Sequence, residues 1–183
     1  MPKLDLESIE QINRTGYPPP YDAPMAKRHY RRLAPAAGLE DFGVSHVVLE
    51  PGGISSQRHW HEGEDEFLVM IDGEAVLVED DGETILAPGD CAAFPKGVAN
   101  GHNLVNRSAR SCTYVVVGRP SVTDCHYPDI DMHLTEGRFT RKDGTPHEYV
   151  GCHASTSRRF RSGAAATIPR RMIDRSRNAR RGC

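Results

Sequence analysis

Across its 183 residues the chain has no apolar run approaching the roughly 18 residues of a membrane-spanning helix, so no such helix is expected. The opening MPKLDLESIE is charged and lacks the apolar stretch of a secretory signal. A cytoplasmic location is therefore the expectation. The five cysteines (Cys91, Cys112, Cys125, Cys152 and Cys183) are odd in number, scattered and without CxxC spacing. They read as reduced thiols, not as a disulfide framework. Internal repeats are missing. No recognisable helix-turn-helix segment flanks the central region, which disfavours a self-contained DNA-binding regulator. Apolar content is also low: 38% hydrophobic residues and a mean hydropathy of −0.55 imply that part of the chain lies outside any core.

Charge is unevenly spread. From Cys152 onward there are nine arginines, no lysine and one acid, Asp174. Of the chain's 23 basic and 25 acidic residues, 14 and 24 precede that point. A basic tail can bind nucleic acid or a membrane surface. With so few apolar groups, residues 151–183 are instead expected to be disordered, and nucleic acid and membrane are not expected partners. The tail's composition also resembles an out-of-frame reading of a GC-rich gene, and no function is assigned to it.

Residues 1–40 read as an irregular segment. Four prolines in GYPPPYDAP (16–24) exclude a helix or a central strand there, so this stretch is expected to run extended over the surface. A short helix around Met25–Leu33 fits the pattern. From Phe42 the character changes. FGVSHVVLE (42–50), EFLVMI (66–71), EAVLVED (74–80), ETILAPGD (83–90), CAAFP (91–95) and SCTYVVVG (111–118) are short runs rich in β-forming residues. Turn signals separate them, with Asp72-Gly73 the strongest hairpin marker. Such spacing predicts an all-β sandwich or barrel over 41–120. Residues 121–150 are mixed and are expected to pack on it as an extension.

The segment HWHEGEDEF (59–67) carries the chemistry. On a strand, alternate side chains share a face, so His59 and His61 point one way and Trp60 the other. Glu66 opens the apolar run FLVMI, where a buried carboxylate must be paired or coordinated. Glu62, Glu64 and Asp65 are expected to stay in the turn and in solvent. Some 35 residues on, His102 precedes another apolar run and shares a face with Leu104 and Asn106 if that run is extended. Three neutral imidazoles and one carboxylate suit one divalent ion, Fe, Mn, Ni or Zn, with positions left for water or substrate.

These residues also carry a resemblance. Gly53–Gly73 reads G-x5-H-x-H-x4-E-x6-G, and Gly89, Pro95, Gly97, His102 and Asn106 follow in order. The pattern is similar to the two motifs of the cupin superfamily. It departs in one place: Asn100 stands where the second-motif histidine usually falls, and His102 comes two residues later. We take His102 as the ligand, with an expanded turn, and Asn100 as the alternative. The longer run from Gly38 to Ser108 resembles small single-domain bacterial cupins, some of which carry a sugar-phosphate isomerase label. That label is analogy, since fold does not fix function. The resemblance implies a double-stranded β-helix (jelly-roll) barrel with a metal in its mouth, commonly as a homodimer.

Around this set, Gln57 shares the face of His59 and is a candidate substrate-binding side chain. Tyr114, in the last strand, and His46, between Val44 and Val48, are candidate catalytic groups. His126, Tyr127, His133 and His147 read as surface residues, and Cys91 and Cys112 as buried. The expectation is a metalloenzyme acting on a small polar carbonyl, carboxylate or sugar-like substrate by Lewis-acid isomerase, lyase or dioxygenase chemistry. The alternative is a non-catalytic cupin that binds or senses a small molecule.

Overall fold

Six short runs of β-forming residues between Phe42 and Gly118 need partners for their backbone donors and acceptors, and antiparallel pairing provides them. In the computed structural model, which describes residues 3–119 and 123–147, twelve strands form. They are β1 (Arg28–Arg32), β2 (Gly43–Leu49), β3 (Trp60–His61), β4 (Glu66–Asp72), β5 (Ala75–Glu79), β6 (Gly82–Leu86), β7 (Cys91–Phe94), β8 (Asn103–Val105), β9 (Cys112–Gly118), β10 (Cys125–Tyr127), β11 (Met132–Thr135) and β12 (Arg138–Thr140). One sheet has the order β1-β2-β9-β4-β7. The others are β6-β5-β8 and β12-β11-β10-β3, and an isolated bridge between His59 and His102 links these two. Every named strand pairing is antiparallel. The result is an all-β jelly-roll. No helix among the described residues is long and apolar enough to cross a membrane.

Alternation decides what each strand places inside. Val47 and Leu49 of β2, Leu68 and Met70 of β4, Ala75 and Leu77 of β5, and Cys112 and Tyr114 of β9 face one another in a single buried cluster with Leu86 and Leu104. Phe67 and Ile71, on the opposite parity of β4, are exposed. A second, smaller cluster of Cys125, Tyr127 and Met132 sits under Tyr17, Tyr21 and Phe139.

The segment 28–32 and Cys91 differ from the sequence-based expectation, and two other regions gain detail. Residues 28–32 form a strand, not a helix: the free edge of β2 offers a full row of backbone partners, and Arg28 to Arg32 pair with it from Leu49 back to Ser45. That tertiary pairing overrides local preference. Around that strand, helical turns are short pieces, Ala23–Lys27 before it and α1 (Leu33–Ala36) after it. The proline-rich stretch keeps Gly16, Pro19, Pro20, Ala23 and Pro24 at the surface and is anchored from within, because Pro18 is fully buried and Tyr17 meets Tyr127 edge-on at 5.8 Å. Residues 125–140 extend the barrel as three strands. Cys91 is exposed, because it lies on the outward parity of β7 at a sheet edge. The expectation of a disordered tail over 151–183 concerns residues outside those described.

The motif glycines have a steric reason. Gly73 has φ +68°, and a Cβ there would lie 2.8 Å from the Ser111 carbonyl oxygen. At Gly53 a Cβ would lie 2.9 Å from the Lys27 carbonyl oxygen, so only glycine lets the two chain segments meet. Asn106 locks the same corner. Its fully buried amide donates to the carbonyls of Leu49 (2.9 Å) and Arg110 (2.7 Å), and its oxygen accepts from the Ser108 amide and hydroxyl. Replacing Asn106 with Ala strands these partners in the interior. The expected cost is about 1–3 kcal/mol of stability, read as a lower midpoint in denaturant unfolding with an unchanged slope. An unchanged midpoint contradicts this role.

Candidate functional site

Four elements converge at one end of the barrel. His59 and His102 face each other across a backbone bridge, with His102 N donating to His59 O at 2.9 Å and His59 N to His102 O at 3.2 Å. Their rings are 4.9 Å apart. His61 follows on the same parity in β3, and Trp60 turns to the other face, where it stacks on His126 at 4.1 Å. Glu66 is the first residue of β4 and shares the inward parity of Leu68 and Met70, so its carboxylate enters the barrel above the apolar core. Phe94, opposite Glu66 in register, stacks face to face on His102 at 3.6 Å and fixes that ring.

The donor atoms are close. His59 Nε2 is 3.0 Å from His61 Nε2, and Glu66 Oε2 is 3.6 Å from His61 Nε2 and 3.5 Å from His102 Nε2. Side-chain exposures of 18% for His61, 20% for Glu66 and 6% for His102 place the cluster below the mouth but within reach of it. Two overlapping donor sets could hold an ion: His59, Glu66 and His102, and His59, His61 and Cys125. Within each set all ligand atoms lie within 4.8 Å of one another.

The tautomer of His59 suits ligation, whereas His61 carries a proton that a bound cation would displace. His59 Nδ1 lies 2.9 Å from the Gln57 carbonyl, which can only accept, so Nδ1 carries the proton. The lone pair is then on Nε2, facing the cluster, as a ligand requires. Burial pulls the His59 pKa down to about 4, outweighing the attraction of Glu66, so the ring is neutral near pH 7. Burial acts the same way on His61, but hydrogen bonds to Cys125 and Glu66 prevail and raise it to about 10. Glu66 is buried, which favours the acid form, yet its bonds to His102 and His61 hold it well below the usual carboxylate range. A protonated His61 beside an ionised Glu66 is a charge pattern that a cation can replace.

Below the cluster lies a cavity of about 360 Å³. Tyr114 lines it, buried, and burial pushes its phenol up out of the physiological range. Tyr17, raised to about 12, and Tyr127, raised further, line it too, both mainly through burial. All three are hydrogen-bond donors at neutral pH.

The remaining candidates fall elsewhere. His46 is not on the cavity wall; its neighbours Ser45 and Val47 are, so strand parity turns the imidazole away. Gln57 acts through its backbone, because its side-chain amide donates to the Tyr21 carbonyl at 2.9 Å and does not line the cavity. Asn100 bonds Glu79 and the Asp80 amide, away from the donor sets. Glu64 departs from its expected place in solvent: only 19% of its side chain is exposed, and it lies 3.9 Å from His61 Nδ1. Tyr127 and His147, expected at the surface, are buried. Sequence reasoning missed Arg28, Tyr30, Cys125 and Tyr127, all on the cavity wall. Period-two parity in RHYRR and CHY would have paired Arg28 with Tyr30 and Cys125 with Tyr127, had those runs been read as strands.

The family model described as Cupin domain matches residues 45–118. A sugar phosphate isomerase of the cupin superfamily from Silicibacter pomeroyi shares 47% identity and a TM-score of 0.76, over 79% of this chain and 96% of that one. A second structure, from Acidithiobacillus ferrooxidans and provisionally assigned as a sugar phosphate isomerase, shares 26% identity and a TM-score of 0.58 over 62% and 74%. The polyketide cyclase RemF from Streptomyces resistomycificus, at 18% identity and a TM-score of 0.57 over 71% and 87%, shows likeness of fold. No curated protein matches at a significant level. With both motifs in place around a jelly-roll and this likeness to the Silicibacter protein, the chain belongs to the cupin superfamily.

Proposed function

We propose that this cupin is a metal-dependent enzyme that carries out isomerase or lyase chemistry on a small polar substrate. The observation that carries this reading is the convergence of His59, His61, Glu66 and His102 at the head of a tyrosine-lined cavity. The donor set fits one divalent ion of Fe, Mn, Ni or Zn: a lone pair is presented at His59 Nε2, and the carboxylate of Glu66 is ionised. Bound there, such an ion supplies a Lewis acid that polarises a carbonyl, carboxylate or enediolate oxygen.

The chain's own residues account for the rest. Glu66 supplies negative charge in a largely enclosed site. Phe94 holds His102 in place by stacking. Tyr114, kept as a phenol by burial, donates a hydrogen bond to an oxygen that gains negative charge, which gives it a positioning and stabilising role and not that of a base. The apolar floor of Leu68, Leu77 and Leu104 excludes water beneath the substrate. The neighbour named as a sugar phosphate isomerase supports the same class of reaction. A dioxygenase reading has less support, because the cavity wall carries hydroxyl groups suited to an oxygen-rich substrate.

Two outcomes are expected. Protein purified without added metal and examined by elemental analysis should hold one divalent ion per chain. His102→Ala should weaken its affinity by more than about 100-fold, beyond the 10–100-fold typical of outer-sphere partners, whereas Asn100→Ala should leave it unchanged. Equal binding by the His102 variant contradicts the proposed site. Metal-loaded protein incubated with sugar phosphates, uronates, β-diketones and phenolic acids should convert one of them. His61→Ala should abolish that turnover, and Tyr114→Phe should lower kcat by about 100-fold with KM little changed. Tight stoichiometric binding with no product from any compound favours a binding or sensing cupin instead.

A further inference from the structure

Arg28 opens β1 and lies on the wall of the same cavity. Among the lining residues it is the one Lys or Arg, and Glu66 is the one carboxylate. A guanidinium has five N–H donors in a fixed fork. Here Nη1 donates to the Ser55 carbonyl at 2.7 Å, and Nη2 makes a long contact of 3.5 Å to the Arg14 carbonyl. Nε is buried and has no partner. Among the described residues no carboxylate lies within ion-pair distance of Arg28. The ring of Tyr30 lies beneath the guanidinium, 5.3 Å from its carbon, and restrains its plane.

A cation with an orphaned donor and only neutral partners is costly to enclose. Arg58 shows the contrast: it has comparable burial, but Asp80 and Asp129 both pair with it. Arg28 therefore retains binding capacity that the fold does not use. Tyr114 lines the same cavity as Arg28 and Glu66.

We propose that Arg28 is an anion subsite: the cavity takes a small molecule whose carboxylate or phosphate group is held by Arg28 while its reacting oxygen lies at the histidine–glutamate cluster. Guanidinium forks match both groups through paired, charge-assisted hydrogen bonds. The orientation of the substrate rests on the function proposed above; the anion subsite does not, since it uses no metal ligand.

The test is isothermal titration of the full chain, metal-stripped and zinc-loaded, with inorganic phosphate, with acetate, and with glycerol as a neutral control. Phosphate, acetate or both should bind the metal-stripped protein, glycerol should not, and the tighter anion identifies the group recognised. Arg28→Gln should weaken binding by roughly 10- to 100-fold, the scale of a lost charged hydrogen-bond pair. Arg28→Lys should retain part of the affinity, and Arg107→Gln, at an exposed position paired with Glu83, should retain all of it. Because Arg28 also ties down Ser55, Arg28→Gln can fail to fold. The Nε–H resonance of Arg28 in the wild-type protein, assigned with the Arg28→Lys variant, gives a reading without that risk and should move on addition of the bound anion. No binding by the metal-stripped wild type, undiminished binding by a folded Arg28→Gln variant, or a static Nε–H signal overturns the subsite. Failure of zinc to load, with anion binding intact, counts against the metal reading and leaves the subsite standing.

Discussion

Two reciprocal backbone hydrogen bonds between His59 and His102 hold the site together. They join residues 43 positions apart, bridge two sheets, and fix both side chains on the same face of the barrel wall. Everything else at the centre is set by parity from that point. His61 follows His59 two residues on. Glu66 precedes Leu68 and Met70 on the inward face of β4. The geometry is inherited from strand alternation, so the cluster is placed by the same rule that builds the core below it.

The core and the site compete for one interior. Leucines, a methionine and a buried tyrosine fill the lower barrel, and the polar groups collect at the open end, where each has a partner. His59 is satisfied through Gln57, His102 is pinned by Phe94, and Glu66 is balanced by His61 and His102. An arrangement of this kind is stable only if it is complete, because a single stranded charge in such a place costs more than most hydrophobic contacts return. Arg28 is the exception within the cavity, which is why it stands out as a binding group.

Much of this was legible from residue order. The runs between Phe42 and Gly118 are short, rich in β-forming residues and bounded by Asp-Gly and Pro-Gly turns, so β2, β4, β5, β6, β7 and β9 could be drawn within a few residues. The position of Glu66 at the head of an apolar run and the one-residue gap between His59 and His61 pointed to a shared site. What could not be read depended on partners. RHYRR has no apolar alternation of its own, and becomes a strand only because β2 leaves an edge open. CHY and MHLT are too short and too polar to announce themselves, yet β10 brings Cys125 beside His61 and Tyr127 under Tyr17. His46 lies on the strand face opposite to Ser45 and Val47, and Gln57, in a bend before β3, is drawn off by the Tyr21 carbonyl, a partner that residue order alone does not reveal.

Anomalous diffraction from crystals of metal-loaded protein tests the central claim most directly. The account predicts one peak per chain, bonded to Nε2 of His59, His61 and His102 and to a carboxylate oxygen of Glu66. A peak held by His59, His61 and Cys125 with His102 left out, or an ion found only on the protein surface, would contradict it.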